Sequence, residues 1–88
     1  MMQTTSTAAQ LSLSLEGKET QRKRILEHLR LMDWFGATDE QLQTALRMEG
    51  STERPRRGEL VAMGLVEDSL ERRKTKANRM AIVWRVRR

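Results

Sequence analysis

The apolar positions change their period along the chain, and each period predicts a different element. From about Thr20 to Asp33, Ile25, Leu29 and Met32 recur at spacings of four and three, with Leu26 beside them. That is the stripe of an amphipathic helix, with Gln21 to Arg24 and Arg30 assigned to its solvent side. Gly36 ends the element. Thr38 then reads as an N-cap, and Gln41 three residues on completes a capping box. Asp39 and Glu40 stand in the first turn, where the helix dipole favours anions. Leu42, Ala45 and Leu46 form the stripe expected to be buried on this short second helix. Glu49 and Gly50 break the chain, with Gly50 free to turn left-handed. Ser51 can cap a third helix running to Met63, unless Pro55 displaces its start. Gly64 stops that helix, and Leu65 can pack back on Leu60 in a Schellman ending.

Beyond Leu65 the helical period is lost. LVEDSLERRKT, KANR and MAIVWRV read as two strands around a turn, with Ile82, Val83, Trp84 and Val86 as strand formers. Trp84 could stack on a nucleobase, but a single Trp in a strand is more often core packing, and Trp34 and Phe35 are expected to cover the end of the first helix. His28, at the edge of an apolar stripe, is given no metal or catalytic role. At the other end, residues 1–9 are small, polar and uncharged, a composition expected to stay disordered. Leu11, Leu13 and Leu15 then alternate in QLSLSL, which Glu16 and Gly17 close. The expected organisation is a flexible tail over 1–17 and one domain over 18–88, mainly α with a C-terminal β-hairpin.

Composition narrows the function class. Eighty-eight residues suffice for one small domain. The absence of cysteine excludes a disulfide scaffold and a thiolate zinc site. With one His and no Tyr or Cys, few groups are left for acid–base or nucleophilic chemistry, so neither enzyme activity nor a cofactor is expected. No apolar run could span a bilayer, and no signal peptide is recognisable, which points to the cytoplasm. Nor do the basic segments carry the bulky apolar face of a membrane-surface helix.

Charge then adds a direction. The net charge is +5, but residues 1–53 hold six basic and eight acidic side chains, whereas 54–88 hold eleven and four. From Arg72 to Arg88 there are eight basic residues and no acidic one. A half-chain so biased attracts a polyanion and releases counterions on contact.

The stretch GATDEQLQTALRMEGSTERPRRGELVAMGLVED resembles the winged helix-turn-helix family. The resemblance lies in Thr38-Asp39-Glu40-Gln41 opening the second helix, Ser51-Thr52 opening the third, and Glu59-Leu60 followed by Gly64-Leu65-Val66. RRKTKANRMAIVWRV is similar to a wing and its return strand, and the whole looks like small phage or prophage DNA-binding proteins. The resemblance implies a fold of three helices plus wing. It also implies double-stranded DNA binding, as a small transcriptional regulator or a DNA-replication accessory, in a monomer or a homodimer. The recognition helix, about 51–63, would enter the major groove with Ser51, Thr52, Arg54, Pro55 and Arg56 nearest the bases. Arg57 would reach a phosphate or Glu53. On the basic wing, about 69–86, Arg72, Arg73, Lys74, Lys76 and Arg79 would hold phosphates or enter the minor groove. The chain departs from the family at Glu53 and Arg57, where apolar residues are usual. They could pair across the helix surface, or Pro55 could turn different residues inward.

QLSLSL also resembles the bacterial sliding-clamp-binding peptide. In that reading Gln10 bonds one end of a groove and Leu11, Leu13 and Leu15 fill its apolar pocket. The alternatives are a strand packing on its own domain or pairing in a dimer. A second function class follows, a protein-interaction or inhibitor module that binds the clamp through Gln10–Leu15 with the winged helix as scaffold. The basic hairpin favours DNA, because a scaffold has no need of it.

Overall fold

The computed structural model describes residues 17–88, so the tail and its Gln10–Leu15 peptide lie outside the described residues. Helix α1 spans Lys18–Met32 and buries Ile25 and Leu29. Gln21 lies one turn before Ile25 on the same stripe, so it is buried and not on the solvent side expected of it. A 3-10 turn, Asp33–Phe35, closes the helix. It leaves Trp34 and Phe35 60% and 58% exposed, so they do not cover the helix end as expected.

Gly36 follows with φ 62°, against Val83 and Trp84. A Cβ there would meet the Trp84 carbonyl oxygen and come within 2.8 Å of Val83. That close approach lets Ala37 form an antiparallel bridge with Trp84, each N–H donating to the other's carbonyl at 2.9 and 2.8 Å.

Helix α2 spans Asp39–Leu46 and opens with the expected capping box. Gln41 N–H donates to Thr38 Oγ1 at 3.1 Å, and Thr38 N–H donates to Gln41 Oε1 at 3.0 Å. Leu42 is buried and Leu46 partly so, but Ala45 is exposed and leaves the stripe narrower than expected. The left-handed residue after this helix is Arg47, at φ 55°, and not Gly50. Gly50 instead begins helix α3, Gly50–Ala62, with Glu49 as N-cap and no side-chain cap bond. Ser51 therefore lies inside the helix and does not cap it. Pro55 lies within the helix and cannot donate to the Ser51 carbonyl, but both residues are exposed and water can take its place. The helix ends as expected: Gly64, at φ 79°, donates to Val61 O at 2.9 Å, and Leu65 N–H donates to Leu60 O at 3.0 Å.

Strands β1, Val66–Lys74, and β2, Met80–Val86, form an antiparallel hairpin. Its register slips between Asp68 and Arg72, where β1 carries two more residues than β2. The bulge turns Leu70 outward at φ 73°. Asp68 Oδ1 accepts the Leu70 N–H at 2.8 Å and Ser69 Oγ accepts the Glu71 N–H at 3.1 Å. Ile25, Leu29, Leu42, Met48, Leu60, Val66 and Trp84 form one core where the three helices meet the hairpin. Among the described residues no helix is long and apolar enough to cross a membrane.

Candidate nucleic-acid interface

The sequence-predicted site residues divide into two groups according to whether the fold already holds them. Helix α3 turns Ser51, Arg54 and Pro55 outward, with Thr52 half-buried. Arg54 folds back over the start of its helix, beside Gly50. A Cβ on Gly50 would lie 2.8 Å from the Arg54 guanidinium. At the far end of the hairpin, Thr75 N–H donates to Arg79 O at 2.8 Å, and Asn78, at φ 63°, closes the turn. Lys74, Lys76 and Arg79 are exposed around this tip, and no ion pair engages them or Arg54 among the described residues.

The remaining candidates are bound within the protein. Arg56 points toward α1, donating to Glu59 at 2.9 Å and Gln21 at 3.4 Å, while Arg22 of α1 donates to Glu59 at 2.7 Å. The hydrogen bond from Arg22 is the largest influence that lowers the Glu59 pKa, with Arg56 adding to it. Arg72 pairs with Asp68 across the bulge at 3.0 Å. Arg73 donates to Gln41 Oε1 at 2.7 Å and Phe35 O at 2.8 Å, and stacks 4.0 Å from the Phe35 ring centroid. These bonds tie the hairpin to the start of α2, where Glu40 Oε1 also accepts the Lys76 N–H at 3.1 Å. A groove of about 490 Å³ runs beside this junction, between Thr44 and Ala45 of α2 and Lys74 to Lys76.

Arg57 does not pair with Glu53 across the helix surface. It reaches back to α2 and holds Asp39 with two bonds, at 2.9 and 2.7 Å, while its guanidinium lies 4.1 Å from the Trp84 ring centroid. Bidentate pairing and stacking together exploit the planar guanidinium. Trp84 is accordingly a core residue, as expected. Glu53 is fully buried. Its Oε1 accepts from Gln43 Nε2 at 2.9 Å. Its other oxygen is buried and meets no donor, and the Asp39 carboxyl lies within hydrogen-bonding reach of Glu53.

Desolvation pushes the Glu53 pKa up to about 8, reinforced by that hydrogen bond and the Asp39 charge against the opposing pull of Gln43 and Arg57. Burial also works to raise Asp39, but hydrogen bonds from Arg57 and Glu53, with the charges of Arg57 and Arg54, outweigh it and hold Asp39 below its usual value. The hydrogen bond to Asp39 in turn raises Arg57, which stays charged. Sequence reading flagged Glu53 and Arg57 as misfits but missed Asp39 and Gln43 as their partners.

A separate cluster was also missed. Arg85 and Arg88 stack on Trp34 at 4.9 and 4.2 Å from its centroid, and Arg88 also pairs with Asp33. Three of the eight basic residues from 72 to 88, Arg73, Arg85 and Arg88, thus lie on exposed aromatic rings. Among the described residues no cluster of three or more His, Cys, Asp or Glu could hold a metal ion. No protein-family model matches this sequence, and neither a curated protein nor a solved structure is significantly similar to it.

Proposed function

We propose that the chain is a winged helix-turn-helix protein that binds double-stranded DNA, with α3 in the major groove and the hairpin as its wing. The observation that carries this reading is the sorting of the cations. Arg56, Arg57, Arg72 and Arg73 are engaged within the protein, while Arg54 on the outer face of α3 and Lys74, Lys76 and Arg79 at the hairpin tip stay free of ion pairs. The fold supports it. The Ala37–Trp84 bridge puts a strand stub before α2, so the chain runs helix, stub, helix, helix, strand, strand. Phosphate contacts would come from the hairpin tip and base contacts from Ser51, Thr52, Arg54 and Pro55. The protein would act as a small transcriptional regulator, or as a replication accessory that also engages a sliding clamp through Gln10, Leu11, Leu13 and Leu15.

The test is a fluorescence anisotropy titration with duplexes of varied sequence. Arg54→Ala is expected to cost about 1–3 kcal/mol on a preferred site and to relax the preference there. Lys74→Ala combined with Lys76→Ala should weaken all duplexes alike. No duplex binding at low salt, or wing variants that change sequence preference while Arg54→Ala does not, would overturn the assignment.

A further inference from the structure

Glu53 stands in the first turn of α3, fully buried, where an apolar residue would have packed with less difficulty. Burying an unpaired carboxylate carries a large desolvation penalty, and such a group survives by pairing or by keeping its proton. One cation serves this cluster directly. Arg57 spends two of its donors on Asp39, and Gln43 supplies one donor to Glu53 Oε1. Glu53 Oε2 is sealed from solvent and accepts no hydrogen bond from any protein donor among the described residues. The Asp39 carboxylate, which while ionised can only accept, lies within hydrogen-bonding reach of Glu53. The electrostatics agree: burial beside Asp39 raises the Glu53 pKa, while Asp39 is held ionised by its cation. The groups facing Glu53 are Asp39 and Gln43 from α2 and Arg57 from its own helix, with Arg54 acting on Asp39 one turn earlier and Trp84 of β2 beneath Arg57.

We propose that Glu53 is a proton-bearing positioning residue: its Oε2–H donates to Asp39, pins α3 against α2, and makes the placement of the recognition helix sensitive to pH. The regulatory half of this inference rests on the duplex-binding reading above, whereas the proton itself does not. When the proton leaves, two neighbouring carboxylates share one guanidinium, and its hydrogen bonds go to Asp39. The contact turns from attraction to repulsion, and α3 loses its fixed seat on α2. Glu53→Gln keeps the shape and replaces the O–H donor with an amide N–H, so it reproduces the locked state at every pH.

The experiment follows the full chain and Glu53→Gln from pH 5 to 9, by thermal unfolding and by duplex titration at fixed salt. The wild type should lose melting temperature steadily from pH 5 to about 8 and then level off, because the unfolded chain gives up the Glu53 proton first. Glu53→Gln should lack that slope. If only the protonated form seats α3 correctly, wild-type duplex affinity should hold to pH 7 and fall about tenfold by pH 9, while the variant stays constant. Parallel melting profiles for the two proteins would overturn the proton. Matching slopes of affinity against pH, with melting profiles that diverge, would overturn the regulation alone. Absence of duplex binding at every pH would overturn the functional reading and its regulation, and leave the proton to be judged by melting. Should Glu53→Gln fail to fold, an NMR titration of the wild-type Glu53 carboxyl decides: a midpoint in the usual carboxylate range overturns the proposal.

Discussion

At the scale of single residues, the contact that most shapes this molecule joins positions 18 apart in sequence. Arg57 binds Asp39 with both ends of its fork and rests on Trp84, so one side chain ties α3, α2 and β2 together. Arg57→Ala leaves the Asp39 carboxylate half-buried beside Glu53 with its main counter-charge removed. It should destabilise the fold by about 2–4 kcal/mol in chemical unfolding. Arg57→Lys should restore little, because an ammonium can neither bond both oxygens nor stack flat on the indole. A lysine variant as stable as the wild type would show that charge alone suffices. Asp39 also sets the acid limit. Its pKa is lowered on folding, so its contribution is complete above the unfolded value and is lost as pH falls through the folded one. Glu53 works in the opposite sense, complete below its unfolded value and lost as pH rises toward about 8. Together they place the optimum of this cluster in mildly acidic solution. Glu53 and Arg57 stood out in the sequence because both depart from the apolar positions of the family that the chain resembles. Their partners were not legible, since a pattern of apolar spacing carries no information about which buried charges meet across two helices.

At the scale of elements, the features written in local chemistry were the ones readable in advance. The Thr38–Gln41 box and the Gly64–Leu65 ending each depend on a few adjacent residues, and both formed as expected. Local chemistry misled where several residues competed for one role. Between α2 and α3, Arg47 takes the left-handed position that Gly50 was expected to fill, and Gly50 serves the helix instead. The bulge in β1 was invisible, because Asp68 and Ser69 bond their own backbone two residues on and so override the strand period. Two glycines give opposite predictions for the same substitution. Gly36→Ala forces a Cβ into the Trp84 carbonyl at a left-handed φ, so it should break the Ala37 bridge and lower the melting temperature severely. Gly58 lies inside α3 with open space where a Cβ would stand. Gly58→Ala should raise stability by about 0.5–1 kcal/mol through helix propensity alone. Equal effects from the two in thermal melts would mean that the close approach of Gly36 to β2 has been misjudged.

At the scale of the whole molecule, the charge imbalance between the two halves was plain from the sequence, but its availability was not. Of the residues assigned to the basic helix and wing, Arg56 and Arg57 serve helix packing, and Arg72 and Arg73 brace the hairpin. A count of basic residues therefore overstates the charge that a polyanion would meet. Those left without an ion pair in the proposed interface are Arg54, Lys74, Lys76 and Arg79. If each neutralises one phosphate, the logarithm of duplex affinity should fall against the logarithm of salt with a slope of about −3 to −4. Releasing the engaged arginines to the duplex would require breaking Arg57–Asp39 and Arg73–Gln41, which hold the interface in shape, so a slope near −8 would contradict this division of roles. Lys74→Ala with Lys76→Ala should flatten the slope by about two units, and Arg72→Ala should leave it unchanged because that side chain is already paired with Asp68. A salt series on these three proteins with one duplex measures both quantities. A slope that falls as much for Arg72→Ala as for one wing lysine would show that Asp68 gives up its arginine when DNA arrives.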